Sequence, residues 1–301
     1  MKSRVRVGTR GSQLALAQTS QVIEELRRAV SNLKCDVIPI RTEGDRLRTP
    51  VEGKNLFTKE IEEALIEERI DIAVHSMKDL SVDLPPGITI AAIPKRANPH
   101  DVLISREKKK FMELPGGARI GTSSPRRRSQ LLAARGDFEL IDIRGNVETR
   151  LKKLASGEYD AIVLAAAGLE RLRLKHETTE ILPTRLMLPA IGQGALAIQS
   201  RNSDEEIISL FSKIDHPVTR REIEAERAFA KKLGGNCKTP IAAYAQSNSS
   251  KLVIEGMIAS LNGRMLVRGR VISDNLNATQ VGEELAKCLL DKGAEPLLEK
   301  V

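Results

Sequence analysis

Across its first two-thirds the chain alternates short apolar runs with stretches whose apolar residues recur at helical spacing, and partway along the pattern stops and starts again. Such alternation is the mark of α/β layering, in which each strand needs a helix to cover it. The first cycle opens with Arg4-Val-Arg-Val7 as a strand. Ser12 then caps a helix that runs to about Val30, with Leu16, Ile23, Leu26 and Val30 on its apolar side. Val37 to Ile40 reads as the next strand, and residues 57–68 form an amphipathic helix with Phe57, Ile61, Ala64 and Leu65 on one face. Asp71-Ile-Ala-Val-His75 is a buried strand. Breaks follow at Leu84-Pro-Pro-Gly87 and from Pro94 to Pro99, a composition suited to a crossing between domains.

The second cycle repeats the first. Ala118-Arg-Ile-Gly121 is a strand, Ser124-Pro125 fits an N-cap followed by proline at the first helical position, and that helix reaches about Arg135. Strands at Leu140 to Ile143 and Ala161 to Ala165 flank a helix at Val147 to Ala155, and the glycine-rich Leu188-Pro-Ala-Ile-Gly-Gln-Gly194 reads as a second crossing. Val7-Gly-Thr-Arg-Gly-Ser12 and Ile120-Gly-Thr-Ser-Ser124 echo each other as strand, Gly-Thr turn and helix start. Both are either ordinary βα turns or a pair of anion-binding loops, because such a turn aims free backbone N–H groups at one spot. Beyond His216 the pattern changes. A helix over 219–233 leads to a β-hairpin, Lys251 to Ser260 and Met265 to Ser273 with Asn262-Gly263 at its turn, and a last helix spans Ala278 to Lys292. This makes a third, α+β domain.

A length of 301 residues accommodates two or three domains with cores of their own. No apolar run approaches the roughly 18 residues that span a bilayer, and the N-terminal Met-Lys-Ser-Arg-Val-Arg-Val-Gly lacks the apolar centre of a secretory signal, so a cytoplasmic protein without membrane contact is expected. Three scattered cysteines and four histidines show no metal-ligand spacing, which argues against a disulfide framework and against a metal site. A net charge of +8 calls for acidic partners, yet aromatics make up only 2% and tryptophan is absent, so platforms for stacking nucleic acid bases are missing. Small polyanionic ligands fit better than nucleic acid.

Three groups of residues carry chemical promise. His75-Ser-Met-Lys-Asp-Leu80 leaves a buried strand at its carboxyl end, where open α/β sheets bind ligands, so Lys78 and Asp79 face a cleft unless they are a plain solvated ion pair. Arg126-Arg-Arg128 crowds the first turn of a helix, where cations oppose the helix dipole. With Arg144, Arg150, Arg10, Lys54 and Lys78 these residues make either a basic cleft suited to carboxylates or a merely basic surface. The third is Cys237 in Leu233-Gly-Gly-Asn-Cys-Lys-Thr-Pro-Ile241, where Lys238 favours the thiolate and no histidine stands as its base. Covalent attachment of a group is the remaining chemical role. Cys35 and Cys288 read as small buried hydrophobes.

Taken in order, nine motifs along the whole chain resemble the porphobilinogen deaminase (hydroxymethylbilane synthase) family. They are Thr9-Arg10 with Ser12 and Leu14-Ala15-Leu16, Thr42-Glu-Gly-Asp45, Phe57-Thr-Lys-Glu60, Asp71 through Asp79, Gly121-Thr-Ser-Ser124 with Arg126-Arg127, Arg144-Gly-Asn146, Tyr159-Asp-Ala-Ile162, Leu188 through Ala195, and Glu226-Arg227 leading to Cys237. The resemblance implies two α/β domains like those of periplasmic binding proteins with a central cleft, plus a smaller C-terminal α+β domain. On that pattern residues 1–95 and 195–213 form a discontinuous first domain, 100–189 the second, and 217–301 the third, which carries the cofactor cysteine.

The same resemblance implies a monomeric transferase that joins four porphobilinogen molecules head to tail onto a dipyrromethane cofactor, held by a thioether to Cys237. Ammonia leaves at each addition, and hydrolysis frees hydroxymethylbilane. Asp79 matches the catalytic aspartate, placed to stabilise positive charge on the azafulvene and on the attacking pyrrole, and to move protons. Ser76, Lys78, Thr122, Ser123, Ser124, Arg126, Arg127, Arg144, Arg150 and Gln193 match cofactor-contacting positions. Arg10, Ser12, Gln18, Phe57 and Arg171 match positions near the incoming substrate. One departure is Asn236, where the family usually has Gly, Ser or Ala before the cysteine. Asn tolerates the left-handed region, so the loop shape is expected to persist. The rival reading is a non-catalytic, hinge-type protein that binds a small anion, which would need neither Cys237 nor Asp79.

Overall fold

A computed structural model describes residues 2–46, 57–234, 239–274 and 277–298. In chain order the elements begin with β1 (Arg4–Arg10), α1 (Gln13–Ala29), β2 (Lys34–Ile40), α2 (Glu43–Arg46), α3 (Lys59–Ile66), β3 (Ile72–Ser76) and β4 (Ile88–Ala92). They continue with β5 (Asp101–Ser105), β6 (Arg119–Gly121), α4 (Pro125–Ala134), β7 (Glu139–Ile141), α5 (Val147–Ala155), β8 (Ala161–Ala165), α6 (Ala166–Arg171) and β9 (Glu180–Ile181). The remainder is β10 (Leu196–Arg201), α7 (Glu205–Phe211), α8 (Pro217–Lys232), β11 (Ile241–Ser247), β12 (Leu252–Ala259), β13 (Leu266–Ser273) and α9 (Ala278–Leu289). The chain divides into two compact units, Met1–Ala97 with Ala195–Arg220, and Asn98–Gly194 with Arg221–Val301.

The first unit is built on a sheet ordered β2-β1-β3-β10-β4. Strands β1, β2 and β3 run parallel, and β10 enters antiparallel to both of its neighbours. Helices cover both faces of such a sheet, so β3 is buried almost throughout rather than alternating. Helix α1 starts where Ser12 accepts a hydrogen bond from the backbone N–H of Ala15, and it ends with Arg27 and Arg28 in the turn where the dipole favours cations. Its buried face carries Val22 and Gln18 as well as Ile23 and Leu26, while Leu16, expected inside, is only partly covered. The predicted 57–68 helix is confined to Lys59–Ile66.

The second unit repeats the plan. Its larger sheet is ordered β7-β6-β8-β5-β9, with β6, β7 and β8 parallel and β5 antiparallel between β8 and β9. The echo between the Gly-Thr turns therefore marks equivalent places, since β1–α1 and β6–α4 leave the second strand of two sheets with the same order. A smaller antiparallel meander, β11-β12-β13, is covered by α8 and α9 through Phe229, Ile254, Leu285 and Leu289. The mixed α/β class and the smaller α+β part thus stand as expected.

Three differences from the sequence reading concern strands. β4, β5, β9, β10 and β11 were not foreseen, and the predicted Leu140 to Ile143 strand begins a residue earlier and ends at Ile141. The predicted hairpin is two strands of a three-stranded meander, and its Asn-Gly pair lies within a longer loop where Gly263, at φ 69°, takes the left-handed conformation. Any Cβ there would press on α4, within 2.8 Å of the Ala133 nitrogen. Cys35 and Cys288 are partly rather than fully buried.

Candidate active site

In the first unit the carboxyl ends of β1 and β3 lie side by side, the position at which open α/β sheets bind ligands. Arg10 ends β1, Ser76 ends β3, and a single 3-10 turn, Met77–Asp79, follows at once. The turn is fixed by Met77, which is buried and whose backbone N–H donates to the Ala195 carbonyl at 3.0 Å, leaving Lys78 and Asp79 exposed. Gln18 points inward from α1 and donates through Nε2 to Ser76 Oγ at 2.7 Å. The Arg10 guanidinium stacks 4.1 Å from the centre of the Phe57 ring, a cation–π contact that holds both side chains in place. Gly44, within the Thr42-Glu-Gly-Asp45 motif, makes room for that ring, because a Cβ would collide with it.

These side chains enclose a cavity of about 50 Å³. Arg10, Ser12, Gln18, Phe57, Ser76 and Asp79 all line it, so residues from three distant segments converge on one spot. His75 lines it too. Burial first, then the charge of Arg10, push the His75 imidazole down to about 4 against a weaker opposing effect of Gln199, so the ring is neutral at physiological pH.

The second unit handles its polar residues differently. Thr122 is buried, and its Oγ1 accepts from the Ser124 N–H at 3.3 Å. Ser124 caps α4 by accepting from the Arg127 N–H, and Ser123 Oγ both donates to the Ile143 carbonyl at 2.9 Å and accepts from its N–H at 3.0 Å. Arg126 and Arg127, only 6% and 7% exposed, converge on a fully buried Asp101 at the start of β5. Arg126 Nη1 lies 2.8 Å from Asp101 Oδ2 and donates to the Leu188 carbonyl. Arg127 donates through Nε and Nη2 to Asp101 Oδ1 and through Nη1 to the Val163 carbonyl. Burial alone would raise the Asp101 carboxyl, but the two guanidinium charges reverse this and hold it well below the usual carboxylate range. Asp101 escaped the sequence reading. Its signal was a lone acid opening an apolar strand, 26 residues before its partner Arg127.

Arg144 is exposed, and Arg150 is partly buried, donating through Nε to the Gly145 carbonyl at 2.8 Å. Burial, then the nearby charge of Arg127, pull Arg150 down to about 10, which leaves it a cation at neutral pH. Gln193 is buried and donates to the Pro99 carbonyl at 2.7 Å, while Arg171 donates to the Gly194 carbonyl at 2.8 Å. The glycine-rich segment around Gln193 is held by the fully buried Glu226, which accepts from the N–H groups of Gly192 at 2.7 Å and Ala245 at 2.9 Å. The sequence showed Glu226 only as part of a motif. Lys54, Asn236, Cys237 and Lys238 lie outside the described residues. Among the described residues no group of three or more His, Cys, Asp or Glu side chains is placed to hold a metal ion, and no helix is long and apolar enough to cross a membrane.

Comparison with known proteins bears on this arrangement. The family model described as "Porphobilinogen deaminase, dipyromethane cofactor binding domain" matches residues 5–209, and "Porphobilinogen deaminase, C-terminal domain" matches residues 220–291. A protein named porphobilinogen deaminase from Syntrophus aciditrophicus is 44% identical over 299 residues, 98% of each chain. One of the same name from Desulforudis audaxviator is 46% identical over 305 residues, covering all of this chain and 99% of that one. Among solved structures, the Bordetella pertussis BvgS periplasmic VFT2 domain is 14% identical with a TM-score of 0.43, over 70% of this chain and 86% of that one, a likeness too distant to bear on function. Matched by both parts of the family model and by relatives along nearly its full length, the chain belongs to the porphobilinogen deaminase family.

Proposed function

We propose that the cavity beside Asp79 is where this chain performs the chemistry of its family. The chain is a transferase that joins four porphobilinogen molecules head to tail onto a dipyrromethane primer, with loss of ammonia, and frees the linear tetrapyrrole by hydrolysis. The observation that carries the assignment of the site is the convergence of Arg10, Ser12, Gln18, Phe57, Ser76 and Asp79 on one cavity. Arg10 and Ser12 bind the carboxylates of the incoming pyrrole, the guanidinium in a planar, two-toothed fashion and the hydroxyl as a donor. Gln18, tied to Ser76, orders the cavity wall, and Phe57 holds Arg10 in place. Asp79, anchored by the Met77 backbone, stabilises positive charge on the pyrrole nitrogen as the amine departs and exchanges protons with the reacting groups. Arg171 completes the substrate-binding set.

The donor chemistry of the second unit fits a ligand bearing several carboxylates. Exposed Arg144, partly buried Arg150, the hydroxyl-bearing turn Thr122 to Ser124 and the N-terminus of α4 are all donors or cations. When bound, the dipyrromethane supplies the nucleophilic pyrrole carbon to which the first substrate is joined. Arg144, Arg150, Thr122, Ser123, Ser124 and Gln193, with Ser76 and Lys78, hold its side chains, and Cys237 tethers it. Arg126 and Arg127 contribute the positive field, with their geometry set by Asp101. We further propose three domains, dividing the second unit between 100–189 and 217–301, and a cytoplasmic monomer that engages neither nucleic acid nor membrane. Light scattering is expected to return the mass of one chain.

Two experiments test the site. Asp79→Ala is expected to fold normally and to release ammonia from porphobilinogen at least about a hundredfold more slowly. Normal turnover would remove Asp79 from the reaction. Protein from cells that make porphobilinogen is expected to exceed its sequence mass by a dipyrromethane, and Cys237→Ser to lack that increment. An increment that survives the substitution would place the tether elsewhere.

A further inference from the structure

Behind the cavity runs a row of buried polar side chains to which the chemistry above assigns no task. Thr58, Glu62, Gln199 and His75 are each at most 4% exposed, and they come from the start of α3, its first turns, β10 and β3. Gln199 Nε2 donates to Glu62 Oε1 at 3.0 Å, and Thr58 Oγ1 donates to Glu62 Oε2 at 3.5 Å. The Gln199 side chain lies near enough to His75 to favour its protonated form, although no hydrogen bond of normal geometry joins Oε1 to Nε2. Burying such a row costs free energy that apolar side chains of the same volume would avoid. Its two ends explain its presence, since Thr58 follows Phe57 directly and His75 lines the cavity together with Arg10 and Asp79.

We infer that Glu62 and Gln199 are positioning residues, which fix the orientation of the His75 ring in the wall of the cavity and tie the Phe57–Thr58 corner to the strand bearing Ser76. This rests on reading the cavity as the substrate site. With its NH₂ committed to Glu62, Gln199 has its carbonyl left for the ring, and Gln199 Oε1 and His75 Nε2 are the buried atoms of the row that have no other partner, so pairing them selects the tautomer carrying the proton on Nε2. The charged groups around the ring are Arg10 at the end of β1, Asp79 on the turn after β3, and Glu62 on α3 behind Gln199. An imidazolium in that place would repel the ammonium group of porphobilinogen and compete with it for Asp79. A neutral ring does neither.

The test uses the cofactor-bearing enzyme labelled with ¹⁵N-histidine, which has only four histidines, His75 being assigned by its loss in His75→Gln. In the wild type His75 is expected to stay neutral, with the proton on Nε2, from about pH 8 to about pH 5.5. Gln199→Leu is expected to mix the tautomers and to lower kcat for porphobilinogen roughly tenfold with a smaller change in KM. Glu62→Gln, which still offers an oxygen to Gln199, is expected to lose less activity than Glu62→Leu. A wild-type His75 that titrates near its ordinary 6.5, or a Gln199→Leu enzyme with an unchanged tautomer and unchanged kinetics, overturns the proposal. If Gln199→Leu does not fold, the wild-type titration and the Glu62 pair still decide. Failure of the site assignment itself would look different, as full turnover in Asp79→Ala with the His75 tautomer intact.

Discussion

The β1–α1 turn and the β6–α4 turn occupy the same place in two sheets of the same strand order, yet they treat arginine in opposite ways. Arg10 remains at the edge of a cavity, stacked on Phe57. Arg126 and Arg127 turn inward onto Asp101. Arg10 ends β1 whereas Arg126 and Arg127 lie in the first turn of α4, and the two sheets also differ at one residue on a neighbouring strand. In each sheet the antiparallel strand begins opposite the last residue of the third parallel strand, and there the first unit has Leu196 facing Ser76 while the second has Asp101 facing Ala165. A buried carboxylate gives the two guanidinium groups of the second unit a partner inside the protein, and the first unit has no acid at the matching register position. Equivalent places in a repeated fold therefore do not carry equivalent roles.

Removing that carboxylate should have the largest effect on stability. Asp101→Asn leaves two buried guanidinium groups without a countercharge and is expected to cost about 3–5 kcal/mol in urea unfolding. Asp79→Asn, at the exposed turn of the first unit, is expected to stay within about 0.5 kcal/mol. Equal stability of the two variants would mean that the arginines of the second unit are held by something other than Asp101.

The first unit should instead reveal its buried histidine through pH. His75 has a folded value of about 4 against an ordinary 6.5, so the unfolded chain binds more protons between those values. Stability is therefore unaffected by this group above about pH 6.5, falls as the pH drops through that window, and has lost about 3 kcal/mol once the pH is below both values. His75→Phe is expected to flatten this limb in denaturation measured at about pH 7 and pH 5, and an unaltered slope would show that the ring is not held neutral.

Smaller effects test the Arg10 stack. Gly44→Ala pushes a methyl group into the Phe57 ring and is expected to cost about 1–3 kcal/mol, seen as a lower melting temperature. Phe57→Leu removes only the cation–π contact, about 0.5–1 kcal/mol, and is expected to raise KM for porphobilinogen a few-fold with the fold intact. A Phe57→Leu enzyme with an unchanged KM would detach the stack from substrate binding.

Local rules were legible from the sequence. Ser12 and Ser124 act as caps because a side chain three residues before an N–H can reach it, whatever the rest of the chain does. The turn after β3 was legible for a related reason: an apolar strand that ends in polar residues must deliver them to the sheet edge. Strands β5 and β10 were not, because each pairs with partners remote in sequence, and the breaks at Pro94 to Pro99 and Leu188 to Gly194 before them read as crossings rather than strand starts. Asp101 and the Glu62–Gln199 contact, the latter spanning 137 positions, stayed hidden for the same reason. Periodicity reveals that a face will be buried and is silent on what will cover it.

The alternation of the parallel strands with their helices, the helix caps, the basic charge and the motifs that mark the family are all settled by residues close together in the chain, where propensity and short-range hydrogen bonding act. Which arginines pair with a buried carboxylate, which histidine is buried beside a cation and which distant side chains share one cavity were settled only by the tertiary fold. Burial and charge pairing depend on neighbours that the chain supplies from tens to more than a hundred residues away.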